Sequence, residues 1–242
     1  MLPDIGISDS GSVRAYWVTC WLSPDVITVH YRDGQRAQEV FVSLNIGIYV
    51  YDDVEVLDFA GPYEVFTTAT RMHSRDRRNA GALFNVFTIG RNMTSIRARA
   101  GLKVDPDYSI HDHPSMDCLI VPGGVVNAEL EKPDVISWIN DQSVPGRLVA
   151  AVCTGAFMLA KTGKLAGRQV TTHWEDIDDL KEMFPDIDVL STLRWVDEGA
   201  FVTSAGISAG IDMCLHLVER LHSRGLAERT ALQLDFDWTE ND

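Results

Sequence analysis

Five apolar, strand-forming residues, Leu148-Val149-Ala150-Ala151-Val152, run without a spacer into Cys153-Thr154-Gly155-Ala156, whose small residues can open a helix. A strand passing directly into a helix leaves the residue between them on a tight turn, its side chain exposed over the helix N-terminus. The dipole and free N–H groups there favour a thiolate over a thiol. That is one way a fold makes a nucleophilic cysteine. A buried apolar cysteine at the end of a core strand is the other reading this segment allows.

The surrounding pattern sets the fold class. Strands are predicted at Leu44–Tyr51, Leu83–Ile89, Asp117–Val121, Leu148–Val152, Gln169–Thr172 and Ala200–Thr203. Helices are predicted at Pro62–Met72, Leu130–Ile139, Gly155–Thr162, Glu175–Met183 and Ala227–Leu234, with Arg71–Asn79 as a surface loop. Ile207, Ile211, Cys214, Val218 and Leu221 recur at helical spacing. Strands that are apolar throughout are buried on both faces, as in a parallel sheet covered by helices. The expected architecture is therefore α/β, a doubly wound, mostly parallel sheet flanked by helices. Ligands in such folds sit beyond the carboxyl ends of the strands. Residues 43–236 form this domain, 237–242 a tail, and 1–42 an N-terminal extension of open role. In the extension, Val13–Cys20 and Val26–Tyr31 can pair, with Asp33-Gly34 as a turn.

Composition removes several classes of function. The chain carries 21 basic and 35 acidic residues, a net charge of −14. This argues against nucleic-acid binding, which needs clustered Lys and Arg, and against anionic membranes. No apolar run reaches the ~18 residues of a membrane span, and Met1–Ser12 has no secretory pattern. The four cysteines (Cys20, Cys118, Cys153, Cys214) show neither C-x-x-C nor zinc spacing. The simplest reading is reduced thiols in a cytoplasm, with no metal and no cofactor.

Other residues at strand ends are candidates for chemistry. Pro122-Gly123-Gly124 lets backbone approach a bound group and aim N–H donors at it. Gly124 and Thr154 N–H groups would then form an oxyanion pocket; an ordinary glycine turn is the alternative. Asp58, in Asp58-Phe59-Ala60-Gly61-Pro62, reads either as a helix cap or as a proton-transfer carboxyl, with Glu64 as a second candidate. His173 and Trp174 follow a strand, where a histidine is either structural or a partner for the cysteine. Trp174, Phe59 and Tyr63 are candidate pocket walls or core. Asp176, Asp178 and Asp179 read as a solvated helix face. Ser204–Asp212 is a small-residue helix start with a structural role at the pocket.

Together these segments resemble the ThiJ/PfpI superfamily, whose fold is that of class I glutamine amidotransferases and flavodoxin-like. The matching residues are Asp58-Phe59-Ala60-Gly61-Pro62, Val121-Pro122-Gly123-Gly124, Ala151-Val152-Cys153-Thr154-Gly155, Thr172-His173-Trp174 and Ala205–Asp212. Protease-like members carry a histidine directly after the cysteine, where this chain has Thr154. Chaperone and glyoxalase-like members place a glutamate where Asp58 stands. The set looks like the isocyanide hydratase branch. By resemblance, Cys153 attacks an isocyanide carbon, Asp58 moves the proton, and the Thr154 hydroxyl orients the substrate or Asp58. Gly123, Gly124, His173 and Trp174 contact the small-molecule substrate, and the protein is a homodimer. The same motifs occur in sensor domains of AraC-type regulators, which continue into a helix-turn-helix region; the little chain after the last predicted helix favours the enzyme. A stand-alone metabolite or redox sensor and glyoxalase-like chemistry on small dicarbonyls are the alternatives.

Overall fold

The computed structural model describes the backbone of three strands in the N-terminal part and residues 43–76 and 81–241. The three strands are β1 (Tyr16–Thr19), β2 (Val26–Tyr31) and β3 (Gln38–Phe41), paired antiparallel in sequence order. The pairing predicted between the first two is present; the Asp33-Gly34 turn lies outside the described residues.

The remaining elements follow as β4 (Leu44–Tyr49), α1 (Val56–Asp76), β5 (Phe84–Gly90), β6 (Ile96–Arg97), β7 (Lys103–Val104), β8 (Tyr108–Ser109), β9 (Cys118–Val121), α2 (Asn127–Leu130) and α3 (Pro133–Gln142). Then come β10 (Leu148–Val152), α4 (Gly155–Lys161), β11 (Gln169–Val170), α5 (Ile177–Met183), β12 (Asp188–Val189), β13 (Trp195–Asp197), β14 (Phe201–Ser204), α6 (Ala209–Leu221) and α7 (Arg224–Gln233). A seven-stranded sheet has the order β13-β14-β10-β9-β4-β5-β8. All its pairings are parallel except that of the edge strand β13 with β14. The doubly wound, mostly parallel sheet flanked by helices is as expected.

Every residue of β9 and β10 is buried, because these central strands are covered on both faces. Helices α1, α6 and α7 pack on one another, and α4 packs on α2 and α3. The core between them is filled by Tyr49, Phe66, Ile48, Leu119, Ile120 and Leu159.

Several boundaries differ from the sequence reading. Helix α1 begins at Val56, so Asp58 lies in its first turn rather than capping it, and the helix runs through Pro62 to Asp76, into the predicted loop. Proline at 62 has no N–H for the Asp58 carbonyl. Gly61 lies close against α6: a Cβ there would stand 3.2 Å from Ile211. The helix expected over Leu130–Ile139 is two, because Pro133 starts α3 afresh. Strand β11 is shorter than expected and pairs with β12, apart from the main sheet. The two- and three-residue strands β6, β7, β8, β12 and β13 were too short to leave a periodic signal.

Candidate active site

Three parallel strands end side by side, and the turns that follow them build the site. Cys153 occupies the turn between β10 and α4 at φ 56°, a left-handed conformation costly for a residue with a side chain. Its N–H donates to the Ser204 carbonyl at 3.1 Å and its carbonyl accepts from Thr172 Oγ1 at 2.8 Å. The elbow forms as the sequence indicates, but Cys153 is only 6% exposed. Burial, then the charge of Asp58, pushes its thiol up to about 12, against the opposing N–H groups of Thr154 and Ile207. The thiolate expected from the helix N-terminus is therefore not the resting form: the local donors act in the expected direction and are outweighed.

Asp58 is fully buried. Burial and the neighbouring Glu55 push it up to about 7, while hydrogen bonds from the Cys153 thiol and the Gly123 N–H and the charge of Arg99 act downward. The Gly123 N–H reaches Oδ2 at 3.1 Å; Oδ1 has no nitrogen or oxygen partner among the described residues. The first turn of α1 thus brings to Cys153 a carboxyl able to hold or release a proton near neutral pH.

The turn after β9 fits under α4 because Gly155 has no Cβ; one would stand 2.1 Å from the Val121 carbonyl oxygen. Gly124, at φ 139°, donates its N–H to Thr154 Oγ1 and accepts the Thr154 hydroxyl on its carbonyl, both at 2.9 Å. The Gly124 N–H, expected as half of an oxyanion pocket, is engaged by Thr154 here, and Gly124 lines the Cys153 cavity. The Thr154 hydroxyl, expected to orient the substrate or Asp58, ties the two turns together and lines the cavity, while Asp58 takes its backbone hydrogen bond from Gly123.

Around Cys153 is a cavity of about 280 Å³, lined by Glu55, Arg99, Thr154, His173, Asp176 and Ile207 among others. His173 is on its wall, but its Nδ1 accepts the Glu175 N–H at 3.3 Å and lies 3.3 Å from Asp176 Oδ2. Its ring packs on Gly206, where a Cβ would stand 2.0 Å from Cδ2. Trp174 is 72% exposed, stacks obliquely on His173, and is absent from that wall. Glu64 is at the surface, paired with Arg71 at 3.0 Å. Asp178 is solvated as expected, whereas Asp176 lines the Cys153 cavity and Asp179 an adjoining one of about 430 Å³.

Sequence reasoning missed Glu55 and Arg99, and placed Ile207 at the pocket only within the structural segment Ser204–Asp212. Arg99 pairs with Glu55 at 3.1 Å. Ile207, read as part of a helix face, precedes α6 at φ 45° and lines the Cys153 cavity. A proximity made by turn geometry leaves no spacing signal. Among the described residues, no group of three or more His, Cys, Asp or Glu side chains is placed to hold a metal, and no helix is long and apolar enough to cross a membrane.

A mostly parallel sheet with a cysteine at a strand-to-helix elbow and a buried carboxyl beside it defines the class: an α/β protein with a cysteine-centred pocket. The DJ-1/PfpI family model matches residues 45–220, and the chain belongs to that family. An isonitrile hydratase of Pseudomonas putida is 29% identical over 81% of this chain and 79% of its own length. The HTH-type transcriptional regulator GbdR of Pseudomonas aeruginosa is 31% identical over 76% of this chain, which spans about half (48%) of that relative. Among solved structures, a ThiJ/PfpI family protein from Pseudomonas syringae superposes with a TM-score of 0.70, at 24% identity over 83% of this chain and 78% of that one.

Proposed function

We propose that the protein is a cysteine-dependent hydratase converting an isocyanide to an N-formamide. The observation that carries this reading is the buried pairing of Cys153 with Asp58. A thiol held near 12 beside a carboxyl near 7 leaves the proton on sulfur until attack. The sulfur then bonds to the terminal isocyanide carbon as the thiol proton passes through Asp58 to that carbon, giving a thioimidate. Water adds to the thioimidate carbon, with Asp58 taking its proton and returning one to nitrogen. The carbon–sulfur bond breaks, releasing formamide, and the thiol is restored. The Thr154 and Ile207 N–H groups stabilise charge on the sulfur. The likeness to isonitrile hydratase along most of both chains supports the same reading.

The test is turnover of an aryl isocyanide, followed by absorbance, for wild type beside Cys153→Ala. Formamide production by wild type alone is the expected result; turnover retained in the variant would sink the mechanism. The likeness to GbdR favours a second reading, a pocket that binds a metabolite without turnover. Stoichiometric binding with no product would select it. We expect a homodimer, which light scattering on the purified protein checks.

A further inference from the structure

The space around Cys153 continues past the cysteine. Gly124, Asn127, Thr154 and Asp176 line both the Cys153 cavity and the adjoining one of about 430 Å³, so a molecule held at the sulfur has room to extend into the second space. The wall of that space is of two kinds. Val126, Leu130, Phe157 and Met183 supply apolar surface. Asp176, Asp179 and Glu182 supply carboxylates, and no Lys, Arg or His is among the described residues that line it. Asp176 directly precedes α5, and Asp179 and Glu182 follow at steps of three within it, which sets them above one another on one helix face. Asp178, one position away, has a side chain that is 99% exposed and stands 3.9 Å from Lys181, the only cation of that helix. Asp179 and Glu182 enter no ion pair among the described residues. Asp176 Oδ2 lies 3.3 Å from His173 Nδ1, but that nitrogen accepts the Glu175 N–H and has no proton to share. In the smaller cavity the cation Arg99 is already paired with Glu55. Carboxylates facing a space with apolar walls favour a guest that has an apolar body and a positive end.

We propose that the adjoining cavity is a second subsite, which receives an ammonium group at the end of an apolar substituent on the molecule that reacts at Cys153, with Asp176, Asp179 and Glu182 setting this specificity. The inference rests on the hydratase reading for its substrate and deepens it, by naming the class of substituent the isocyanide carries.

The experiment measures, in the full chain at pH 7, how fast Cys153 is modified by methanethiosulfonates that share a six-carbon chain and differ in its end: 6-aminohexyl, hexyl and 5-carboxypentyl. Each transfers its alkylthio group to the cysteine sulfur, forming a disulfide and releasing methanesulfinate. Peptide mass spectrometry reads Cys153 apart from the other cysteines. The aminohexyl reagent is expected to react about tenfold faster than the carboxypentyl one, with hexyl between them. The net charge of −14 favours a cation at any site, so variants of equal charge separate the subsite from the field of the whole protein. Asp179→Asn should lower the cation-to-anion rate ratio about threefold, and Asp178→Asn should leave it unchanged, its charge being exposed and screened. Both positions are at the surface, where such changes leave the fold intact. No charge order in wild type, or equal ratios in the two variants, overturns the proposal. The charge order in a protein that turns over no isocyanide would keep the subsite and reject the hydratase. Turnover of an aryl isocyanide without the charge order would keep the hydratase and reject the subsite.

Discussion

Cys153 and Asp58 shift each other's ionisation, and a hydrogen bond from the thiol to the carboxyl is among the causes of both shifts. Asp58 raises Cys153, by its charge and by accepting that bond; the same bond lowers Asp58 against the upward effects of burial and Glu55.

Asp58→Asn should therefore separate reactivity from catalysis. Without the carboxylate charge the Cys153 thiolate forms at lower pH, so alkylation by iodoacetamide at pH 8 is expected to quicken about tenfold, one pKa step. Turnover should fall by about 10²–10⁴, the usual contribution of a placed acid–base group. Parallel loss of both would show that Asp58 acts only through the fold.

The acid limb of kcat/KM should lie near pH 7, the value at which Asp58 becomes the base that the thiol proton requires. Glu55 raises Asp58 and Arg99 lowers it. Glu55→Gln should move the limb to lower pH and Arg99→Gln to higher. Profiles from pH 5 to 9 check this, and a limb unmoved in both variants would assign it to another group.

Asp58 also makes stability depend on pH. Its folded value, about 7, lies above the usual 3.8. Its acid form is therefore favoured by folding, and stability is lost as pH rises from the unfolded value through the folded one. At pH 8 that displacement costs on the order of 4 kcal/mol. Asp58→Asn, neutral at every pH, should melt higher than wild type at pH 8 and about equally at pH 4. Equal melting at both would show that the carboxyl is not strained by burial.

Gly123→Ala should damage fold and site together. A Cβ at 123 would stand 2.6 Å from both Thr154 N and Oγ1 and 2.8 Å from Asp58 Oδ2. Thermal denaturation should show a loss of about 1–3 kcal/mol, typical of overpacking, and turnover should fall more than stability explains, because the Gly123 N–H that holds Asp58 is displaced. Wild-type melting and turnover would refute the close contact.

How much of this was written in the chain differs between fold and site. The apolar runs at β9 and β10, the elbow at Cys153 and the glycines at 123, 124 and 155 are local signals, because burial on both faces and tight turns each restrict the residue at one position. They determined the parallel sheet and the place of the reactive cysteine. Tertiary structure alone decided what surrounds it. Asp58 reads equally well as a cap, and only the sheet order β10-β9-β4 sets the turn after β4 against the elbow. The same packing engages Gly124 with Thr154, leaves Trp174 outside the pocket wall and places Ile207 on it. It also reverses the ionisation expected from the helix N-terminus: that end acts through the helix's own first turn, whereas burial and a neighbouring carboxylate depend on segments far apart in sequence, and at Cys153 these are the larger effects.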